Sequence, residues 1–142
     1  MGERERKFFE FNTFLVMGNT RRMRNAFRGL KQMGKTVYFF DEKFDDNRAE
    51  GKFSGMAELP TPPEAAICDG SKRRVKTFID KAADAGIENL WINFQSDYPE
   101  AVELARRRNL NLLHGQCAVV WLPTRGLHHS VHRALWKLLG KY

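Results

Sequence analysis

Only Cys68 and Cys117 represent cysteine among the 142 residues, and they stand far apart, outside any CxxC pattern. That argues against both a disulfide framework and a cysteine-based zinc site. Long apolar runs are missing as well, and none approaches the roughly 18 to 20 residues of a membrane span. The opening "MGERERKFFEF" alternates charge and lacks the apolar stretch of a signal peptide, which sets a cytoplasmic expectation. Glycine is sparse at one telling place. The turn after the first apolar run holds Gly18 alone, where a dinucleotide fold would show GxGxxG. Internal repeats, low-complexity stretches and linkers are also absent, so residues 1–142 read as a single domain.

What the chain does have is positive charge. Lys and Arg number 24 against 17 Asp and Glu, a formal net charge of +7. Such a balance favours an anionic partner. The basic residues are dispersed as RRMR, SKRR and ARRR at the ends of expected helices. A phosphate-bearing small molecule therefore suits the pattern better than a nucleic-acid arm or a membrane surface.

Apolar periodicity alternates between strand and helix. Thr13 to Met17 reads as a buried strand, and Met23, Ala26, Phe27, Leu30 and Met33 follow at helical spacing up to Gly34. Thr36 to Phe40 is a second strand, rich in β-branched and aromatic residues. A polar stretch and the extended "ELPTPP" lead to a third, "EAAICD". Ser71 is placed to cap the next helix, which presents Val75, Phe78, Ile79 and Ala82 before Gly86. Asn89 to Phe94 is the fourth strand. Ser96 or Asp97 is expected to cap a helix that Pro99 starts, and "NLNLLHG" supplies a fifth strand. "AVVWL" is expected to extend the sheet or run along its edge. A lead-in helix over residues 1–12 and an amphipathic helix over 126–142 flank these elements, the latter's apolar face docking on the sheet or on a second subunit.

The expected fold is a doubly wound α/β domain: about five parallel strands in the order 3-2-1-4-5 with helices on both faces. In such a sheet the ligand lies beyond the carboxyl ends of the strands where the order reverses, here expected between the first and fourth. The loops at that end carry Gly18, Asn19, Thr20, Arg21 and Arg22; Asp69, Gly70, Ser71 and Lys72; Asn93, Phe94, Gln95 and Ser96; and Gly115, Gln116 and Cys117. Gly18 permits a sharp turn and a close approach to a ligand. The helix beginning nearby aims unpaired N–H groups at the same point, and Arg21, Arg22 and Arg24 can add charge-assisted bonds to phosphate. Asp41 closes the second strand where an NAD ribose would be held, and Lys43 suits a phosphate on that ribose. His114 and Cys117 show no third group to orient them, so a structural histidine in an apolar strand is expected. His128 and His132 lack further metal ligands nearby, so the reading assigns no catalytic and no metal-binding residue.

Taken in order, the segments from about Phe14 to Val120 resemble the CoA-binding domain family. Its small Rossmann-like members are akin to the CoA-binding portion of the succinyl-CoA synthetase α-subunit. "FLVMGNT" corresponds to the family's strand–GAS turn, and "LKQMGKTVYFFDEK" to its helix–glycine–strand followed by VNPK. "EGKFSGMAELPTPPEAAICD" matches the approach to the third strand, and "AADAGIENLWINF" the run ending in WLQ-G. "ELARRRNLNLLHGQC" places Cys117 on the family's near-terminal cysteine. The departures fall on ligand-facing loops: GAS is Gly18-Asn19-Thr20, VNP is Phe40-Asp41-Glu42, and the glutamine and glycine stand as Asn93 and Phe94.

The resemblance implies a Rossmann-like protein that binds CoA or an acyl-CoA without catalysing a reaction alone. Gly18 to Arg22 would take the pyrophosphate and Lys43 the 3′-phosphate. Asp69 to Lys72 and Asn93 to Gln95 would line the groove, with Cys117 near the pantetheine thiol. The alternatives are an NAD-type or other nucleotide-binding module, and a degenerate Rossmann domain acting in protein interaction or nucleic-acid binding.

Overall fold

The β-branched and aromatic runs of the sequence pair as one parallel sheet. The computed structural model describes residues 2–40, 52–53 and 59–122. In chain order these are α1 (Glu3–Phe8), β1 (Thr13–Met17), α2 (Arg21–Gln32), β2 (Thr36–Phe40) and β3 (Lys52–Phe53). They continue with β4 (Ala65–Cys68), α3 (Lys72–Asp84), β5 (Asn89–Ile92), α4 (Pro99–Arg107) and β6 (Asn111–Leu113). Asp41, Lys43 and the expected helix over 126–142 lie outside the described residues.

The six strands run in the order β3-β2-β1-β4-β5-β6, and every pairing is parallel. The doubly wound α/β expectation holds, with a correction to neighbours. The strand of "EAAICD" was expected beyond Thr36–Phe40, but as β4 it pairs with β1, Phe14 opposite Ala65 and Met17 opposite Cys68. Lys52–Phe53 takes the outer edge of β2 instead. The chain then crosses back over β1 to start the other half of the sheet. The reversal therefore lies between β1 and β4, not between β1 and the Asn89 strand.

Central strands are apolar on both sides because both faces are covered. On one face Phe14 and Val16 of β1 meet Phe8, Met23, Ala26, Phe27, Leu30 and Trp121. On the other, Leu15 and Met17 meet Val75, Phe78, Ile79, Ala101 and Ala105. Phe8 and Phe9 close over Phe14 and Trp91, with ring centroids 5.3 Å apart for Phe8–Trp91 and 5.4 Å for Phe9–Trp91. Burial of several aromatic rings ties the lead-in helix to the sheet.

"AVVWL" forms no strand. Ala118–Trp121 is a 3₁₀ turn that buries Ala118, Val119 and Trp121, and it contributes to the core beside α2. A short apolar run is compatible with either structure, and here packing decides. Among the described residues, no helix is long and apolar enough to cross a membrane.

Candidate functional site

At the carboxyl ends of β1, β4 and β5, three loops are joined through one buried carboxylate. Asp69 follows β4 and is 1% exposed. Its Oδ2 accepts from Thr20 Oγ1 at 2.5 Å, and its Oδ1 accepts a short hydrogen bond from Ser96 Oγ. Arg22 Nε stands 3.4 Å from Oδ2. Thr20 and Arg22 belong to the head of α2 and Ser96 to the β5–α4 loop, so the carboxylate fixes both against β4. A buried charge is tolerable only with such partners.

Gly18 makes this junction possible. Its φ is +115°, and a Cβ there would come within 2.2 Å of the Asp69 carbonyl oxygen. The turn thus needs glycine for both conformation and space. Thr20 then caps α2, its Oγ1 accepting from Met23 N–H at 3.2 Å. That leaves the first-turn N–H groups of Arg21 and Arg22 without intrahelical partners, facing the same end of the sheet. Arg21 is exposed. Arg24 folds back instead, donating to the carbonyl and side-chain oxygens of Asn19 at 3.2 and 3.1 Å.

The β5–α4 loop is anchored from beneath. Asn93 is fully buried. It accepts from Ala118 N–H at 2.8 Å and donates to Cys117 Sγ at 3.7 Å. The Gln116 carbonyl receives both Phe94 N–H at 3.1 Å and the Trp91 indole N–H at 2.9 Å. Phe94 itself is exposed to 47%. Gln95 adopts φ +76°, a left-handed conformation that costs a non-glycine residue roughly 1 kcal/mol or more. The glycine-like position after β5 is therefore Gln95, whereas the family resemblance sets the glycine against Phe94.

The expected site residues thus divide by role. Gly18, Asn19, Thr20, Arg22, Asp69, Gly70, Phe94 and Gln95 meet at the switch point. Ser71 caps α3 through Arg74 N–H at 3.5 Å. Lys72 pairs with Glu100 at 3.4 Å, whose carboxyl is held below its ordinary range by its backbone hydrogen bond and by Lys72. Cys117 is half-buried under Asn93. Neither Ser96 nor Asp97 caps α4. Tyr98 takes that position without a side-chain bond, because Ser96 is committed to Asp69 and Asp97 Oδ2 lies 3.2 Å from His114 Nδ1. His114 is correspondingly exposed rather than a core histidine.

Ser96 stood in the sequence only as a loop residue and a candidate helix cap, because its use depends on a buried acid 27 positions earlier. Its Oγ also accepts from Gly70 N–H at 3.0 Å. The other nucleophile near the junction, Cys68, is inert: burial pushes its thiol up, and Asp69 adds to the effect.

A parallel sheet with a glycine turn and a capped helix at its switch point defines a Rossmann-like α/β domain. The chain belongs to the CoA binding domain family, whose model matches residues 12–123. A search of curated proteins returns no match. Solved structures share the fold. A hypothetical protein from Pyrococcus horikoshii OT3 superposes with a TM-score of 0.72 at 16% identity, covering 82% of this chain and 86% of that one. A Thermus thermophilus protein gives 0.69 at 16% identity, covering 84% and 96%. The dinucleotide forming acetyl-coenzyme A synthetase 1 of Ca. Korarchaeum cryptofilum gives 0.59 at 18% identity, covering 78% of this chain but only 27% of the synthetase.

The residues present fit a phosphate group. Gly18 keeps the backbone turn bare of a side chain, the α2 N-terminus offers main-chain donors, and Arg21 and Arg22 bring positive charge. Asp69, at the junction, is walled in behind Thr20, Ser96 and Arg22.

Proposed function

We propose that this protein binds coenzyme A or an acyl-CoA and does no chemistry on it unaided. The observation that best supports the reading is the close approach of Gly18 to Asp69 within a matched family segment. It shapes a bare turn at the head of α2, where a pyrophosphate can meet the Arg21 and Arg22 N–H groups and their guanidinium groups. Asn19 borders the turn on one side. Gly70 and Ser71 continue it towards α3, and Phe94 and Gln95 form the opposite wall. CoA supplies the chemistry of its thiol when bound; the chain's part is to hold and orient the phosphates.

A binding role also suits the surroundings of Asp69 and Cys68. Asp69 is enclosed and cannot reach a substrate proton, and Cys68 lies beneath the surface with its thiol suppressed. Neither is placed as a base or a nucleophile.

Thermal stability with CoA, acetyl-CoA, dephospho-CoA, NAD and ATP tests the reading. A ligand at about 100 times its Kd adds roughly 2.7 kcal/mol, which raises Tm by several degrees for a chain of this size. CoA and acetyl-CoA are expected to raise Tm and NAD to leave it unchanged. A shift with NAD alone, or with none of the five, would overturn the proposal.

A further inference from the structure

We infer that Arg22 is a latch across the mouth of this site, exchanging neutral acceptors on the Phe94–Gln95 turn for ligand phosphate oxygens. The inference rests on the phosphate-binding reading above and adds the residue that decides access. One guanidinium spans the cleft. Its Nε faces Asp69 Oδ2 at 3.4 Å, while Nη1 donates to the Phe94 carbonyl at 3.1 Å and Gln95 Oε1 at 3.3 Å. The side chain remains 38% exposed, so its outer edge is open to solvent.

These contacts are unequal. Asp69 is charged and buried, so Arg22 does not abandon it readily. Phe94 O and Gln95 Oε1 are neutral and exposed, whereas a phosphate oxygen carries a full charge opposite to the guanidinium's and can be paired in its fork geometry. Arg22 therefore keeps Nε on Asp69 and turns Nη1 to the anion. Asp69 acts here as a positioning residue, holding the guanidinium beside the α2 N-terminus without touching ligand.

The turn that loses Arg22 is poised to respond. Gln95 sits at φ +76° without being glycine, and Arg22 supplies hydrogen bonds that help hold it there. Phe94 presents its ring to solvent at the tip, while its N–H stays tethered to Gln116. Release lets the turn relax about that tether, with Phe94 free to cover the bound molecule.

Pyrophosphate and CoA titrations followed by ¹⁵N NMR test the latch in the whole chain, for the wild type and for Gln95→Gly and Arg22→Gln. Gln95→Gly removes one of the two competing acceptors and the strained residue together, and is expected to tighten pyrophosphate about threefold. Arg22→Gln is expected to weaken it more than tenfold, and the Gln95 amide resonance should move in the wild type as pyrophosphate saturates. If CoA binds at Gly18 while Gln95 does not respond and Gln95→Gly leaves the Kd unchanged, the latch is wrong and the CoA reading stands. If pyrophosphate drives the Gln95 change but CoA does not bind, the latch stands and the CoA reading fails. Binding of neither ligand to the wild type overturns the latch.

Discussion

The carbonyl oxygen of Asp69 occupies the space a side chain on Gly18 would need, 2.2 Å from where its Cβ would stand. The turn after β1 and the end of β4 are therefore built around each other. Replacement of Gly18 by alanine adds both a clash with backbone and a forbidden φ. Gly18→Ala is expected to cost about 3 kcal/mol and to lower Tm by roughly 10 °C. Urea denaturation checks the first figure. Wild-type stability would show that the loops part easily and that the junction is not rigid.

The buried carboxylate gives a second expectation. Asp69→Ala strands the Thr20 and Ser96 hydroxyls and leaves Arg22 without its buried partner, at a cost of about 3 kcal/mol. Asp69→Asn retains an acceptor of the same shape and should cost about half as much. Denaturation midpoints of the two variants supply the comparison, and equal losses would mean that charge, not hydrogen bonding, holds the loops.

Asn93 links the same loop to the 3₁₀ turn. Asn93→Ala deprives the buried Ala118 N–H of its acceptor, at about 2 kcal/mol. It also releases Cys117 Sγ. Alkylation of Cys117 by iodoacetamide should then accelerate severalfold over the wild type, with Cys68 protected in both as long as the fold persists. An unchanged rate at Cys117 would mean that Asn93 does not restrain the thiol.

Alkaline pH should single out Cys68. Its folded thiol pKa is raised above the unfolded value, chiefly by burial. Thiol deprotonation therefore favours the unfolded chain, so the stabilising contribution is complete below the unfolded pKa and is lost as pH rises through the window above it. Above the unfolded thiol's ordinary value of about 8.5, this residue should remove up to about 1.4 kcal/mol per pH unit. Cys68→Ala should show a shallower decline in unfolding free energy between pH 8 and 10, whatever its absolute stability. Parallel slopes would contradict the assignment.

Much of the fold was legible because burial on both faces produces continuous apolar strands, as in "TFLVM" and "AAIC", and because Gly34, Ser71 and Gly86 punctuate helices locally. The order of strands was harder to read. Lys52–Phe53 is too short to announce itself, and without it the Ala65 strand looked like the outer neighbour of β2. At the site, Gly18 and the arginines stood out in the sequence. The Asp69–Ser96 bond did not, because nothing near Ser96 distinguishes a partner for a buried acid from a helix cap. Phe94 and Gln95 were noticed as loop residues, but the left-handed backbone at Gln95 has no sequence signal in a glutamine.

The most direct measurement is an ¹⁵N-resolved NMR titration of the full chain with CoA. The account predicts saturable shifts clustered at Gly18 to Arg22 and Gly70 to Lys72, extending to Gln95, with the outer edge strand β6 unaffected. Saturable shifts confined to β6 and α1, or no saturable shift at millimolar CoA, would contradict it.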